Sequence, residues 1–347
     1  QRKPLRWEWC GVRAMVMQST SAAASLTPLT LMDVPAPRVE GPLDVVVRIA
    51  AAGVCRTDLH LLTGQMVSQL PLILGHENAG WVHEIGSQVT SVAVGDSVLC
   101  YPFVAKGLSV PERSGLDTEA PDRQTPGITV DGGYAEYLRT NERSMVVVPA
   151  HADLASLTTL TDAGLAAYRA CKRAATLLRP GDTAVVIGIG GLGHLAVQIL
   201  KALSPARVIA VDTKPEALDL AMECGAHEAV APIDLKRVLD GGARAVLDLV
   251  GADTTSNLGI SALEFGGTYL AIGIGGSVTL PLADLVEGEK HIEGVFVGTY
   301  TDLLEVTELT MSGQVSPRIV RYPLEAANDA LNALANGRLL GRAVLEP

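Results

Sequence analysis

Aromatic residues are scarce in this 347-residue chain: three Phe, seven Tyr and three Trp, 4% of the whole. Its cores must then be filled by aliphatic side chains, and the abundant Ala, Val, Leu and Gly suit helices packed closely on sheets. Cysteine is sparse too. The five, at 10, 55, 100, 171 and 224, are too scattered for a disulfide framework, so a reducing, cytoplasmic setting is expected. Basic charge is in deficit: 27 Lys and Arg against 38 Asp and Glu leave a formal net charge of −11, which argues against nucleic acid or an anionic membrane as partner. Long apolar runs are missing as well. The longest, from Ala184 to Leu200, is broken by glycines at 188, 190, 191 and 193, so no membrane span is expected. No apolar signal segment follows Arg2, Lys3, Arg6 and Arg13, and residues 1–13 read as an irregular extension before a strand near Ala14 to Gln18.

What is present changes character along the chain. Segments 29–33, 44–54, 78–86 and 94–101 are short apolar runs bounded by Pro, Gly and Asp, as in a compact β domain. From about residue 152 the pattern turns to alternating α/β, with a helix over 161–177 and strands at 183–187, 207–211, 244–249, 267–273 and 293–297. Helices near 191–203, 214–224 and 254–264 fall between them, and the tail ends in a further strand candidate at 342–345. The run Val185 to Ile187 breaks into Gly188-Ile189-Gly190-Gly191-Leu192-Gly193, a Gly-x-Gly-x-x-Gly turn between strand and helix. Such glycines allow a tight turn, close backbone approach to a pyrophosphate and close helix–strand packing, with the helix N-terminus facing the phosphates. Asp212 ends the next apolar run, about 20 residues on, where a ribose-binding carboxylate belongs. That favours NAD, while Lys214 leaves NADP open.

Chemistry is concentrated in the first half. Cys55, Thr57, Asp58 and His60 fall within six residues, and His76 and Glu77 follow after a loop. Thiolate and neutral imidazole are good zinc ligands, and a catalytic zinc takes three protein ligands with one open position. Asp162, where the helical half begins, is a candidate third ligand. Alternatives stay open: Asp162 and Asp58 also suit helix capping, and His60 suits the surface. His83, His151, His194 and His291 show no partner pattern, and Cys10, Cys100, Cys171 and Cys224 read as packing or surface thiols. Tyr101 and Phe103 read as core or as pocket wall.

The segments Gly53 to His60, Gly75-His76-Glu77, Val94-Gly95-Asp96, Asp131 to Tyr137, Thr161 to Gly164, Gly188 to Gly193 and Gly341-Arg342 occur in an order that resembles the medium-chain, zinc-dependent alcohol dehydrogenases. The resemblance runs from about residue 14 to the C-terminus. It implies an α/β protein in which a GroES-like, β-rich catalytic domain (14–155 and 300–347) carries an inserted Rossmann domain, a doubly wound parallel sheet, at 156–299. It implies one catalytic zinc on Cys55, His76 and Asp162, with Glu77 able to approach the metal during exchange. It also implies that Thr57 accepts the alcohol proton, which passes through a ribose hydroxyl to His60, and that Asp58 takes the other ring N–H of His76. Arg342 resembles the family's pyrophosphate-binding arginine, and main-chain groups at Ile272, Gly273, Ile274 and Phe296 would flank the nicotinamide.

One departure stands out. Many relatives hold a second, structural zinc on four cysteines, but those positions here are Lys106, Ser109, Glu112 and Ala120. No structural zinc is therefore expected, and Lys106 and Glu112 are expected to pair in its place. The expected activity is reversible hydride transfer between NAD and a primary or secondary alcohol, in a homo-oligomer, dimer or tetramer. A polyol dehydrogenase or a zinc-free enone or quinone reductase is the alternative enzyme. The alternative of another class is a nucleotide-binding protein without catalysis.

Overall fold

A computed structural model describes residues 11–20 and 29–347; Cys10 and the basic start of the chain lie outside the described residues. The chain forms two compact units, Gln1–Thr161 with Ile319–Leu339 and Ala343–Pro347, and Asp162–Arg318 with Leu340–Arg342.

The second unit is built on a six-stranded sheet whose neighbouring strands are all parallel. In spatial order the strands are Glu228–Val230, Arg207–Val211, Thr183–Ile187, Ala243–Asp248, Leu263–Ala271 and His291–Gly294. Numbered along the chain this is the order 3-2-1-4-5-6, which makes the unit a Rossmann fold. All five residues of Thr183–Ile187 are buried, because helices cover both faces of a parallel sheet, and for that reason the strand reads as an unbroken apolar run. Strand order reverses between Thr183–Ile187 and Ala243–Asp248, so the glycine turn leaves the sheet at its switch point. Several elements differ from the sequence reading, among them the strand read at 267–273, which is Leu263–Ala271. The last strand is His291–Gly294 rather than 293–297, since Val297 turns to φ 45°. Glu228–Val230 went unread because it is a three-residue edge strand, only half-buried, with little apolar signal.

The first unit carries two sheets. A small antiparallel one orders Leu29–Val34, Val12–Met17 and Leu72–Ile73. The larger, seven-stranded sheet is centred on Asp44–Gly53, which pairs antiparallel with Glu77–Ile85 and with Tyr137–Asn141. Ser97–Cys100, Met145–Val148, Ile319–Pro323 and Arg342–Glu346 complete it. The strand expected over 94–101 starts only at Ser97, because Gly95 takes φ 99° and Asp96 accepts the Ala93 amide in a turn. Val45, Val47, Ile49, Val82, Val98 and Leu138 form the inner face, with Leu61 and Leu62 of the helix Arg56–Leu62 in the same core. Tyr101 and Phe103 are buried with their rings edge-on at 5.5 Å. The register of the central strand pair sets Gly53 opposite Glu77 and Ala52 opposite Asn78. Among the described residues no helix is long and apolar enough to cross a membrane.

Candidate active site

The strand Asp44–Gly53 delivers the chain to Val54 and Cys55, and Cys55 occupies the N-cap position of the helix Arg56–Leu62. Asp58, at the third helical position, accepts the Cys55 amide on Oδ2 at 2.8 Å, so its capping role is real. The same oxygen accepts the hydroxyl of buried Tyr134 at 2.7 Å, while Oδ1 lies 3.5 Å from Nδ1 of His76. Capping and orientation of His76 are thus compatible uses of one carboxylate. Burial, followed by the negative charge of Asp58, pushes the Tyr134 hydroxyl well above its ordinary pKa, so it stays a donor. Cys55 Sγ lies 3.6 Å from Thr57 Oγ1, and His60 follows Thr57 by one turn with its ring against Gln65.

Close backbone approach explains two glycines of these motifs. A Cβ on Gly53 would lie 1.8 Å from Oε2 of Glu77, the residue facing it across the sheet. At Gly75, φ is 98° and a Cβ would meet the Tyr134 ring at 2.5 Å. His76 and Glu77 leave that turn fully buried. The next residue, Asn78, donates its amide to Thr161 Oγ1 at 3.1 Å, and the chain continues from Thr161 directly into Asp162. Asp162 sits at the N-cap position of the helix Ala163–Ala175, yet its side chain makes no capping hydrogen bond. Its Oδ2 lies 3.7 Å from Arg342 Nη2. One donor atom each from Cys55, His76, Glu77 and Asp162 falls within 4.8 Å of the others, the one such group among the described residues. A sulfur, an imidazole nitrogen and carboxylate oxygens form the mixed set that zinc accepts, whereas calcium or magnesium calls for oxygen alone. The residues present therefore fit zinc.

In the Rossmann unit Gly188 takes φ 91°, and a Cβ on Gly193 would lie 2.0 Å from the Gly188 carbonyl, so the helix Gly193–Leu203 can start only from glycine. Asp212 accepts the Ile189 amide on Oδ2 at 2.8 Å and the Lys214 amide on Oδ1 at 3.0 Å, which ties the end of the second strand to the glycine turn. Arg342 is buried, with Nη1 3.0 Å from where a Cβ on Gly191 would stand. Ile272 and Gly273 both donate their amides to the Asp248 carbonyl at 3.0 Å. They lie at the same carboxyl edge of the sheet as the turn, and so does Phe296.

Two families match this chain, the Alcohol dehydrogenase GroES-like domain over residues 41–150 and the Zinc-binding dehydrogenase over 191–312. An NAD-dependent alcohol dehydrogenase of Sulfurisphaera tokodaii is 34% identical over 339 residues, covering 92% of this chain and 97% of that protein. An alcohol dehydrogenase of Geobacillus stearothermophilus is 35% identical over 333 residues, covering 92% and 96%. The crystal structure of the Aeropyrum pernix alcohol dehydrogenase superposes with a TM-score of 0.92 at 38% identity, over 96% of this chain and all of that one. The chain belongs to the medium-chain, zinc-dependent alcohol dehydrogenase family. Its first unit is accordingly GroES-like.

Within this alcohol dehydrogenase family the lobe without cysteines is closed in a way the sequence reading did not foresee. Lys106 pairs with Asp122 at 2.7 Å and not with Glu112. Glu112 instead turns inward and accepts the amides of Ser109, Gly107 and Leu108 at 2.6, 2.7 and 3.2 Å. Hydrogen bonds from Ser109, and then from Gly107 and Leu108, hold its carboxyl down at about 2. His194 shows no partner pattern in the sequence. It is fully buried and engaged through both ring nitrogens, with Gly190 and with Arg318. No local pattern could show this, because Arg318 lies 124 residues away. Tyr134 likewise falls within the motif Asp131 to Tyr137, where nothing local reveals its bond to Asp58.

Proposed function

We propose that the chain is an NAD-dependent alcohol dehydrogenase that interconverts a primary or secondary alcohol and its aldehyde or ketone, with one catalytic zinc held by Cys55, His76 and Asp162. The observation that carries this reading is the buried group of one thiol, one imidazole and two carboxylates within 4.8 Å. Support comes also from the names of the Sulfurisphaera and Geobacillus relatives and from the glycine turn with Asp212 at its side. An acidic residue there accepts from both ribose hydroxyls and repels a 2′-phosphate, which favours NAD over NADP.

When bound, zinc supplies a Lewis acid that lowers the alcohol's pKa, and NAD supplies the hydride acceptor. The protein's own groups do the rest. Asp58 presents Oδ1 to Nδ1 of His76 at 3.5 Å, within reach of the ring it would orient, and Tyr134 holds Asp58. Thr57, two residues beyond Cys55, accepts the alcohol's proton on its hydroxyl as it gives up its own, so that the hydroxyl stays neutral. His60, one turn on and partly exposed, is the group from which a relayed proton leaves for solvent. Arg342 and the N-terminus of Gly193–Leu203 bring positive charge to the pyrophosphate of an otherwise acidic protein.

The test is metal analysis together with NADH absorbance across a panel of alcohols, repeated for Cys55→Ser and Asp162→Asn. One zinc per chain is expected in the wild type, with loss of metal and of turnover in both variants. Full metal and full rate in both variants would refute the ligand assignment. Absent zinc with NADPH-dependent enone reduction would point to a zinc-free reductase, and tight cofactor binding without turnover to a binding protein.

A further inference from the structure

His194 follows the last glycine of the turn directly and lies in the first turn of the helix Gly193–Leu203, with no exposed surface. Its Nε2 is 3.0 Å from the backbone nitrogen of Arg318, which has only a proton to give, so Nε2 must be an acceptor. A neutral imidazole then carries its single proton on Nδ1, which donates to the Gly190 carbonyl at 2.9 Å. Both ring nitrogens are thereby committed, and one tautomer alone satisfies both partners. Burial, reinforced by the positive charges of Arg342 and Arg318 and opposed by the Gly190 bond, lowers the ring's pKa to about 4, so it is neutral at pH 7.

Each end of this bridge is tied to a pyrophosphate-binding element. In a planar trans peptide the C=O and the following N–H point in opposite directions. A Gly190 carbonyl held inward on His194 therefore aims the Gly191 N–H outward from the turn. At the other end, the Arg318 carbonyl accepts the Arg342 amide at 2.8 Å, and Gly341, at φ 91°, brings the chain so close that a Cβ would lie 2.2 Å from that carbonyl. The Arg342 guanidinium returns to Gly191, closing a ring of contacts from Gly190 through His194, Arg318 and Arg342 back to the turn. We infer that His194, as a single neutral tautomer, is a positioning residue that sets the Gly191 amide and the Arg342 guanidinium at a fixed separation for a dinucleotide pyrophosphate. This role rests on the dinucleotide site proposed for the glycine turn and assigns a task within it.

A neighbour supplies the control. Gln198, one turn further along the same helix, fastens the same tail segment through two bonds to Ser316, at 2.8 and 3.2 Å. The test compares His194→Ala and Gln198→Ala for melting temperature and for binding of NADH, ADP-ribose and adenosine, the last lacking a pyrophosphate. Both variants should melt lower. His194→Ala should weaken NADH and ADP-ribose about tenfold or more and leave adenosine within about twofold. Gln198→Ala should leave all three within about twofold. KM for NAD should rise in His194→Ala far more than kcat falls. Equal weakening of adenosine and NADH, or unchanged NADH binding with only a lower melting temperature, would overturn the positioning role. A wild-type ¹⁵N spectrum showing the His194 proton on Nε2 would overturn it without any variant. Wild-type protein that binds neither NADH nor ADP-ribose would instead refute the dinucleotide reading itself, and this role with it.

Discussion

The hydroxyl of Tyr134 donates a 2.7 Å hydrogen bond to Oδ2 of Asp58, joining two fully buried residues 76 positions apart. Because Oδ2 also takes the Cys55 amide, only Oδ1 is left to face His76. Tyr134 thereby fixes which edge of the carboxylate the candidate metal ligand meets.

Replacing Tyr134 by Phe removes that donor and leaves a buried carboxylate oxygen with one partner fewer. A hydrogen bond to a charged group contributes about 1.5–3 kcal/mol, so a stability loss of about 2 kcal/mol is expected in chemical denaturation. Zinc affinity, read by competition with a chelator, should fall about tenfold or more while NADH affinity holds. Unchanged zinc affinity would show that Asp58 keeps its orientation unaided.

Gly193→Ala should separate cofactor binding from metal binding. Its Cβ would stand 2.0 Å from the backbone oxygen of Gly188, so the turn must open. NADH affinity should fall by at least about tenfold, whereas zinc content per chain stays at the wild-type value. Parallel loss of both would mean that the Rossmann unit had unfolded.

The lobe closed by Glu112 should be sensitive to acid. Its carboxyl lies at about 2 in the folded chain, below the usual carboxylate value, so the ionised form contributes stability above about pH 4.3. That contribution is lost as pH falls through about 2. Pepsin cleavage within residues 106–123 should therefore accelerate across that window. Glu112→Ala should be cut there already at pH 4.5. An identical cleavage pattern in wild type and variant would show that the three amides are satisfied without the carboxylate.

His194 loses stability in the same direction, though its native form is the neutral ring rather than an ion. Its folded pKa is depressed to about 4, so the unfolded chain binds the extra proton first and stability is full only above about pH 6.5. As pH falls from about 6.5 to about 4, this residue should remove about 3 kcal/mol of stability. Comparing unfolding free energies of wild type and His194→Gln at pH 7, 5.5 and 4.5 isolates the effect. The wild-type advantage should shrink with acid, and an advantage independent of pH would contradict a buried, neutral ring.

The Rossmann unit was legible from sequence because each signal is local. Strands buried on both faces must be apolar throughout, a turn that meets a pyrophosphate must be glycine, and Asp212 follows at a spacing set by the strand–helix–strand path. Cys55, Asp58, His76 and Glu77 could also be singled out, since their chemistry is unusual and their motifs are short. Neighbours could not. Whether Asp162 caps its helix or joins the donor group, whether Lys106 meets Glu112 or Asp122, and whether His194 has a partner at all depend on side-chain directions and on segments far apart in the chain. Sequence alone determined which chemical groups this protein possesses and the periodic patterns that form its sheets and helices, because those follow from residue type and spacing. Only the tertiary structure decided which atoms they face, because a hydrogen bond between His194 and Arg318, or between Tyr134 and Asp58, exists only once the fold has closed the distance between them.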